Sequence, residues 1–255
     1  MKKILAIARY TFIENIRQKI FYSLFIFAPV IFAASWVLSG IGGEQRLRVL
    51  EDFGFTLAYF AALFTAVFVG ATFIYDEIEN KSIYMILARP VSKFSYILGR
   101  YIGFLSASVS LLFFMTLLTL AVVKISGGAV MSKNLVTPLL DALKIAAILS
   151  VSLFFAMLTT SRSASMIFAV FFMIAGYFTQ ELEFLSRLAA SPAVKILSFL
   201  MKFLAPQLYR FDIPDLPSQS AALITLRLAG VSLYTLIYSA AFLVAAYIIF
   251  RRKEF

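Results

Sequence analysis

Two stretches of 23 residues, 53–75 and 101–123, contain no Asp, Glu, Lys or Arg, and a compact charged island separates them. At 1.5 Å per residue each stretch is about 34 Å long as a helix, enough to cross a bilayer core of roughly 30 Å. A chain with this pattern is confined to folds in which lipid solvates apolar surface and the backbone bonds to itself. The island, 76–100, reads DEIENKSIYMILARPVSKFSYILGR and is expected as a loop at a membrane face. Within it Ile83, Ile86 and Leu87 recur at spacings of three and four, the apolar stripe of a short helix. Pro90 should stop that helix at or just before Arg89. A short amphipathic helix pinned between two membrane helices suits the transmission of movement better than catalysis.

The chain is 62% hydrophobic and 14% charged, against roughly 25% charged in soluble domains. A soluble core of this size does not bury that much apolar surface, so an integral membrane protein is expected. There is no Cys and no His. That excludes disulfides, thiolate chemistry, imidazole acid–base work and most transition-metal sites. The net charge of +10 is accounted for by basic residues at helix ends, so no nucleic-acid partner is expected.

Six membrane runs are expected: 20–43 with a kink at Pro29, 53–75, 101–123, 145–161, 163–180 and 228–250. Only Arg162 separates the fourth from the fifth. Together they would make one helix of about 54 Å, too long for one crossing, so a hairpin turning at Arg162 is expected. The fourth run should begin near Pro138, with Lys144 snorkelling to the interface. The first run is too long for the core of a cleaved signal peptide. Before it, Ile4, Leu5, Ala8, Phe12 and Ile16 share one helical face, with Lys3, Glu14 and Arg17 opposite. Residues 1–19 therefore read as an amphipathic helix along the membrane surface. The segment 181–227 carries Leu185, Leu188, Ile196 and Leu200 at helical spacings, broken by Pro192, and turns irregular from Pro206 to Pro217. No internal repeat is visible. The fold class is all-α integral membrane: a single membrane domain, 1–255, with six transmembrane helices, an N-terminal amphipathic helix, a cytoplasmic loop at 76–100 and an extracytoplasmic loop at 181–227.

Counting Lys and Arg sets the expected orientation. With both termini inside, the inner segments carry 13 basic residues in 50 positions and the outer segments 10 in 77. Net charge is then +8 inside and +2 outside. Cytoplasmic termini follow, in agreement with Arg251, Arg252 and Lys253. The island faces the cytoplasm.

The stretch EIENKSIYMILARPVSKFSYILGRYIG resembles the signature of the type-2 family of ABC transporter permeases. That signature has an acidic pair, Gly-Thr or Lys-Thr, a Leu-rich turn, Pro-Val-Ser-Arg, and Gly-Lys opening the next membrane helix. Here the corresponding residues are Glu77 and Glu79, Lys81-Ser82, Ile86-Leu87, Pro90-Val91-Ser92-Lys93, and Gly99-Arg100. Ser82 stands for Thr, Lys93 for Arg and Arg100 for Lys. The expected layout is similar over essentially the whole chain. The permease of the nitrous-oxide-reductase maturation system and multidrug or sodium exporter permeases look like the nearest relatives.

The resemblance implies a homodimer or pseudo-dimer in the cell membrane that docks ABC ATP-binding subunits. ATP and magnesium would then belong to the partner subunit, with no cofactor in this chain. The contact residues it implies are Glu77, Glu79, Lys81, Ser82, Ile83, Ile86, Leu87, Arg89, Pro90, Val91, Ser92 and Lys93, with a lesser contact at Thr160–Ser163, including Arg162. Short helices in 181–227 would close an outer gate, touch an extracytoplasmic partner or cap the bundle. The residues agree independently: no GxxxxGK[ST] phosphate loop occurs, so ATP would be hydrolysed by another chain. No charge sits within the central stretch of any run, which counts against an ion-coupled secondary carrier, the alternative reading. An integral membrane enzyme is the less favoured reading: with no His it would need a carboxylate-only site at Asp76, Glu77 and Glu79, which read sooner as a solvated membrane boundary. Gly99, Gly103 and Ala107 form a small-residue ladder for close helix packing, within the chain or at a dimer seam. Ser106, Ser108 and Ser110 line a path or bond back to their own helix.

Overall fold

Every long element among the described residues is an α-helix. The computed structural model describes residues 2–17, 29–30, 32–33, 36–37, 40, 46–79, 92–128, 133–188, 192–212 and 221–252. The helices are α1 (Lys2–Arg17), α2 (Arg46–Glu79), α3 (Lys93–Ile125), α4 (Lys133–Leu158), α5 (Arg162–Tyr177), α6 (Thr179–Leu188), α7 (Pro192–Leu204) and α8 (Ala221–Arg252), with a 3-10 turn at Leu208–Phe211.

The expectation of six spans is overturned. Among the described residues four helices are long and apolar enough to cross a membrane, within α2, α3, α4 and α8. A fifth crossing exists only if α5 and α6, bent by 58° at their junction, are taken as one span. The physical reason lies in α5. Its 16 residues reach about 24 Å, short of the bilayer core. Its last turn is held where Gly176 meets the 3-10 segment: a Cβ there would stand 2.8 Å from the Pro206 carbonyl oxygen. Beyond the bend α6 carries Glu181, Glu183 and Arg187. The expected first span, 20–43, and the expected coupling helix around Ile83, Ile86 and Leu87 lie outside the described residues, but for a few positions of the former.

The spanning helices outrun their charge-free stretches. α2 begins seven residues before position 53 and ends four after position 75, and α3 begins at Lys93 rather than at 101. Both ends of the island are thus turns of membrane helices, not loop. Contacts divide the chain into two compact units, Met1–Ala66 with Ser95–Ile145, and Val67–Phe94 with Ala146–Phe255.

The first unit is built on close helix approach. Along α2, Gly54, Ala58, Ala62 and Ala66 are all buried and recur every fourth residue, one face of a 3.6-residue helix. Opposite Gly54 the side chain of Thr119 on α3 fills the space a Cβ would take. The N-terminal helix does not rest on the apolar face read from the sequence. Its buried residues are Ala8, Thr11 and Asn15, while Leu5 is 71% exposed. Polar side chains are tolerated there because each bonds back one turn: Thr11 Oγ1 to the Ile7 carbonyl (2.9 Å) and Asn15 Nδ2 to the Thr11 carbonyl (2.8 Å). Lys144 does not snorkel either. It is buried, with Nζ 3.5 Å from Asp141 and 5.2 Å from the centre of the Tyr59 ring.

The second unit packs on aromatic side chains. Ala147, Val151, Phe155 and Tyr238 form its core, with Phe154, Phe172, Tyr234 and Phe242 against them. Phe155 meets Phe168 and Phe172 of α5 at 5.5 and 4.8 Å between ring centres, and Phe154 meets Phe242 of α8 edge-on at 5.4 Å. Such pairs add about 1 kcal/mol each beyond burial. The hydroxyls of the same stack hold the following segment: Tyr238 donates to the Leu204 carbonyl (2.6 Å) and Tyr234 accepts from the Gln207 amide (3.0 Å). Tyr238→Phe removes one of these bonds without changing shape. It is expected to cost about 1 kcal/mol, read as a lowered melting temperature of the detergent-solubilised protein. Melting equal to wild type would show that the Leu204 carbonyl has another donor.

Candidate functional site

The C-terminal end of α2 and the turn between α4 and α5 are tied together in the second unit. Tyr75 Oη lies 3.0 Å from the Thr159 carbonyl oxygen, to which it donates, and 2.7 Å from Thr159 Oγ1. The break between α4 and α5 falls at residues 159–161, and Ser161 caps α5 by accepting from the Ala164 amide (3.3 Å). Arg162 is therefore the first residue of α5 rather than the turn itself. Its Nη2 pairs with Asp76 Oδ1 at 2.5 Å and with Glu79 Oε2 at 2.9 Å.

These charges are placed against local helix electrostatics. An arginine at a helix N-terminus and carboxylates in the last turn of another each oppose the macrodipole. Asp76 and Glu79, three residues apart, share one face of α2, and both reach the same guanidinium. The charges make sense only as partners of each other. At 40–68% side-chain exposure the pairs add little to stability, below about 1 kcal/mol each. They fix the position of the α4–α5 turn relative to α2.

A second junction joins α3 to α8. Lys93 Nζ lies 3.4 Å from the carbonyl oxygens of both Phe250 and Arg251, and 5.5 Å from the centre of the Phe250 ring. A cation at a helix C-terminus is favourably placed. Ser92 is exposed, whereas Glu77 is buried. Lys81, Ser82, Ile83, Ile86, Leu87, Arg89, Pro90 and Val91 lie outside the described residues.

The small residues of α3 face the N-terminal helix. A Cβ on Gly99 would stand 2.8 Å from Ile7 Cβ, and one on Gly103 would stand 2.8 Å from the Ala8 carbonyl oxygen. Ala107, one turn further, is also buried. Between the two glycines Arg100 is buried, donating to Glu14 Oε2 (2.6 Å) and Thr11 Oγ1 (3.1 Å), with the rings of Tyr10, Tyr96 and Phe104 centred about 6 Å away. Ser106 and Ser110 bond back to the carbonyls of Gly103 and Ser106. The sequence reading singled out Gly99, Gly103 and Arg162. It missed Glu14, Asp76 as a partner of Arg162, and Thr159, because their partners are more than 80 residues away in the chain.

Among the described residues no group of three or more Asp or Glu is arranged to hold a metal ion. No individual curated protein matches the chain. The family of ABC-2 family transporter proteins matches it over residues 5–255, from α1 through the island to the end of α8. With apolar spanning helices and a match over nearly its whole length, the chain belongs to the ABC-2 family of transporter proteins and is an integral membrane permease.

Proposed function

We propose that this permease receives a separate ATP-binding subunit on the face formed by the island 76–100 and the α4–α5 turn, and converts that subunit's ATP cycle into movement of its membrane helices. The observation that carries the reading is the Arg162 junction. The two segments that the family resemblance assigns to ATPase contact are linked by Tyr75–Thr159 and by Arg162 with Asp76 and Glu79. A push on the island would then reach α2 and α5 together. Lys93 extends the linkage to the end of α8.

In this reading both termini are cytoplasmic, the permease works as a dimer in the cell membrane, and the work is export of a cargo or force transmitted to an outer partner. Nitrous-oxide-reductase maturation permeases and multidrug or sodium exporters are the relatives whose work it would resemble. The test is co-purification of the full chain with a candidate ABC ATP-binding protein from the same locus, which the resemblance leads one to expect, followed by ATP hydrolysis in liposomes. A stable complex is expected, with hydrolysis altered by Glu79→Ala or Pro90→Ala. Absence of a complex, or hydrolysis indifferent to both changes, removes the coupling role.

A further inference from the structure

The face of α1 turned away from α3 enters neither the packing nor the junctions above. Lys2, Ala6, Arg9, Ile13 and Arg17 follow one another at steps of three and four residues, so they form one line along the helix. All five are exposed, and the line lies opposite the buried residues Ala8, Thr11 and Asn15. Leu5 and Tyr10 flank it, 71 and 58% exposed. Among the described residues none of Lys2, Arg9 and Arg17 is held in an ion pair. The one acid of the helix, Glu14, is committed to Arg100 of α3. The line therefore presents three positive charges and no negative one.

Two independent observations say what this face meets. The first is depth. α1 is seated on Gly99 and Gly103, and the charge-free stretch of α3 begins at Tyr101. The helix is thus held where α3 enters the apolar layer, at the level of lipid headgroups. The second is composition. The cations alternate with exposed apolar side chains, Leu5, Tyr10 and Ile13. At a bilayer surface such side chains enter the upper acyl region, while the stems of Lys and Arg lie along them and carry their charge out to phosphate. An acidic protein surface matches the charge but leaves Leu5 and Tyr10 unused.

We propose that this outer face of α1 docks anionic phospholipid, with Lys2, Arg9 and Arg17 on the headgroup phosphates and Leu5, Tyr10 and Ile13 among the upper acyl chains. A guanidinium holds phosphate through two parallel bonds. A zwitterionic headgroup offers the same phosphate but sets an ammonium beside it, which cancels the attraction of a basic surface. The proposal is independent of the coupling role, because it uses none of the residues of the Arg162 junction.

The test uses the purified full chain. Phosphatidylglycerol, phosphatidylethanolamine and phosphatidylcholine are presented in equal amounts, and retained lipid is read by native mass spectrometry. Phosphatidylglycerol should be retained in preference to the other two. Arg9→Gln with Arg17→Gln should lower that preference roughly 10- to 30-fold. Both side chains are exposed, so the double variant keeps its fold. Arg251→Gln with Arg252→Gln removes the same charge from the exposed end of α8 and should leave the preference as it is. Equal retention of the three lipids overturns the proposal, as does a preference that the α1 variant keeps or that both variants lose alike. If the α1 variant keeps its lipid and instead fails to co-purify with the ATP-binding subunit, the face belongs to that subunit and the lipid assignment falls.

Discussion

Replacing Gly103 by leucine is expected to detach the N-terminal helix from α3. The new Cβ would stand 2.7 Å from Thr11 Cγ2 and 2.8 Å from the Ala8 carbonyl oxygen. The second neighbour is backbone and does not give way. Overpacking of a closed contact costs about 3 kcal/mol, and here relief comes only by separation of α1. Separation also strips buried Arg100 of its bonds to Glu14 and Thr11, which adds the cost of a buried charge without its partner. The result to look for is faster proteolysis within residues 2–17 together with a large drop in melting temperature. Gly103→Ala should show the same change in weaker form. If Gly103→Leu melts like wild type and α1 stays protected, the close packing of α1 on α3 is wrong.

Reversing the charge of Arg162 is expected to uncouple the protein without unfolding it. Arg162→Glu places a third carboxylate beside Asp76 and Glu79, where two ion pairs stood. Because these groups are partly exposed, the stability change should stay below about 2 kcal/mol. The α4–α5 turn, however, loses the Arg162 pairs to the end of α2, while Tyr75–Thr159 remains. Coupling free energies between sites run to 1–3 kcal/mol, or roughly 5- to 150-fold. Permease-dependent stimulation of the partner's ATP hydrolysis should therefore fall at least about fivefold while the complex still forms. The exchange Asp76→Arg with Arg162→Asp should recover part of it. Full stimulation in Arg162→Glu would show that the junction carries no motion.

Much of the architecture was legible in the chain because lipid imposes a one-dimensional rule. A helix that crosses a bilayer must keep charge out of about twenty residues, and 53–75 and 101–123 both lie within long helices. Gly99 and Gly103 stood out for a similar reason, since a missing Cβ every four residues has few uses in a membrane helix. The equivalent series on α2, from Gly54 through Ala66, was overlooked because alanine is too common in helices to mark a contact.

The sequence by itself determined that the chain is helical, lies in a membrane and carries a charged island between two spans. Those properties follow from local composition and spacing. Tertiary structure alone decided which charges meet. Arg162 and Asp76 are 86 residues apart, as are Arg100 and Glu14, and no local period links them. Only tertiary structure decided which face of α1 is buried. Thr11 and Asn15 look polar in sequence, yet bonds to their own helix and, for Thr11, a bond from Arg100 of α3 satisfy that polarity where they are buried. It also decided the fate of α5, an apolar run that reads as a span until Gly176 is seated on the Pro206 carbonyl and the chain turns away. Hydrophobicity is a property of each residue and can be read in order. Partnership is a property of pairs brought together by folding.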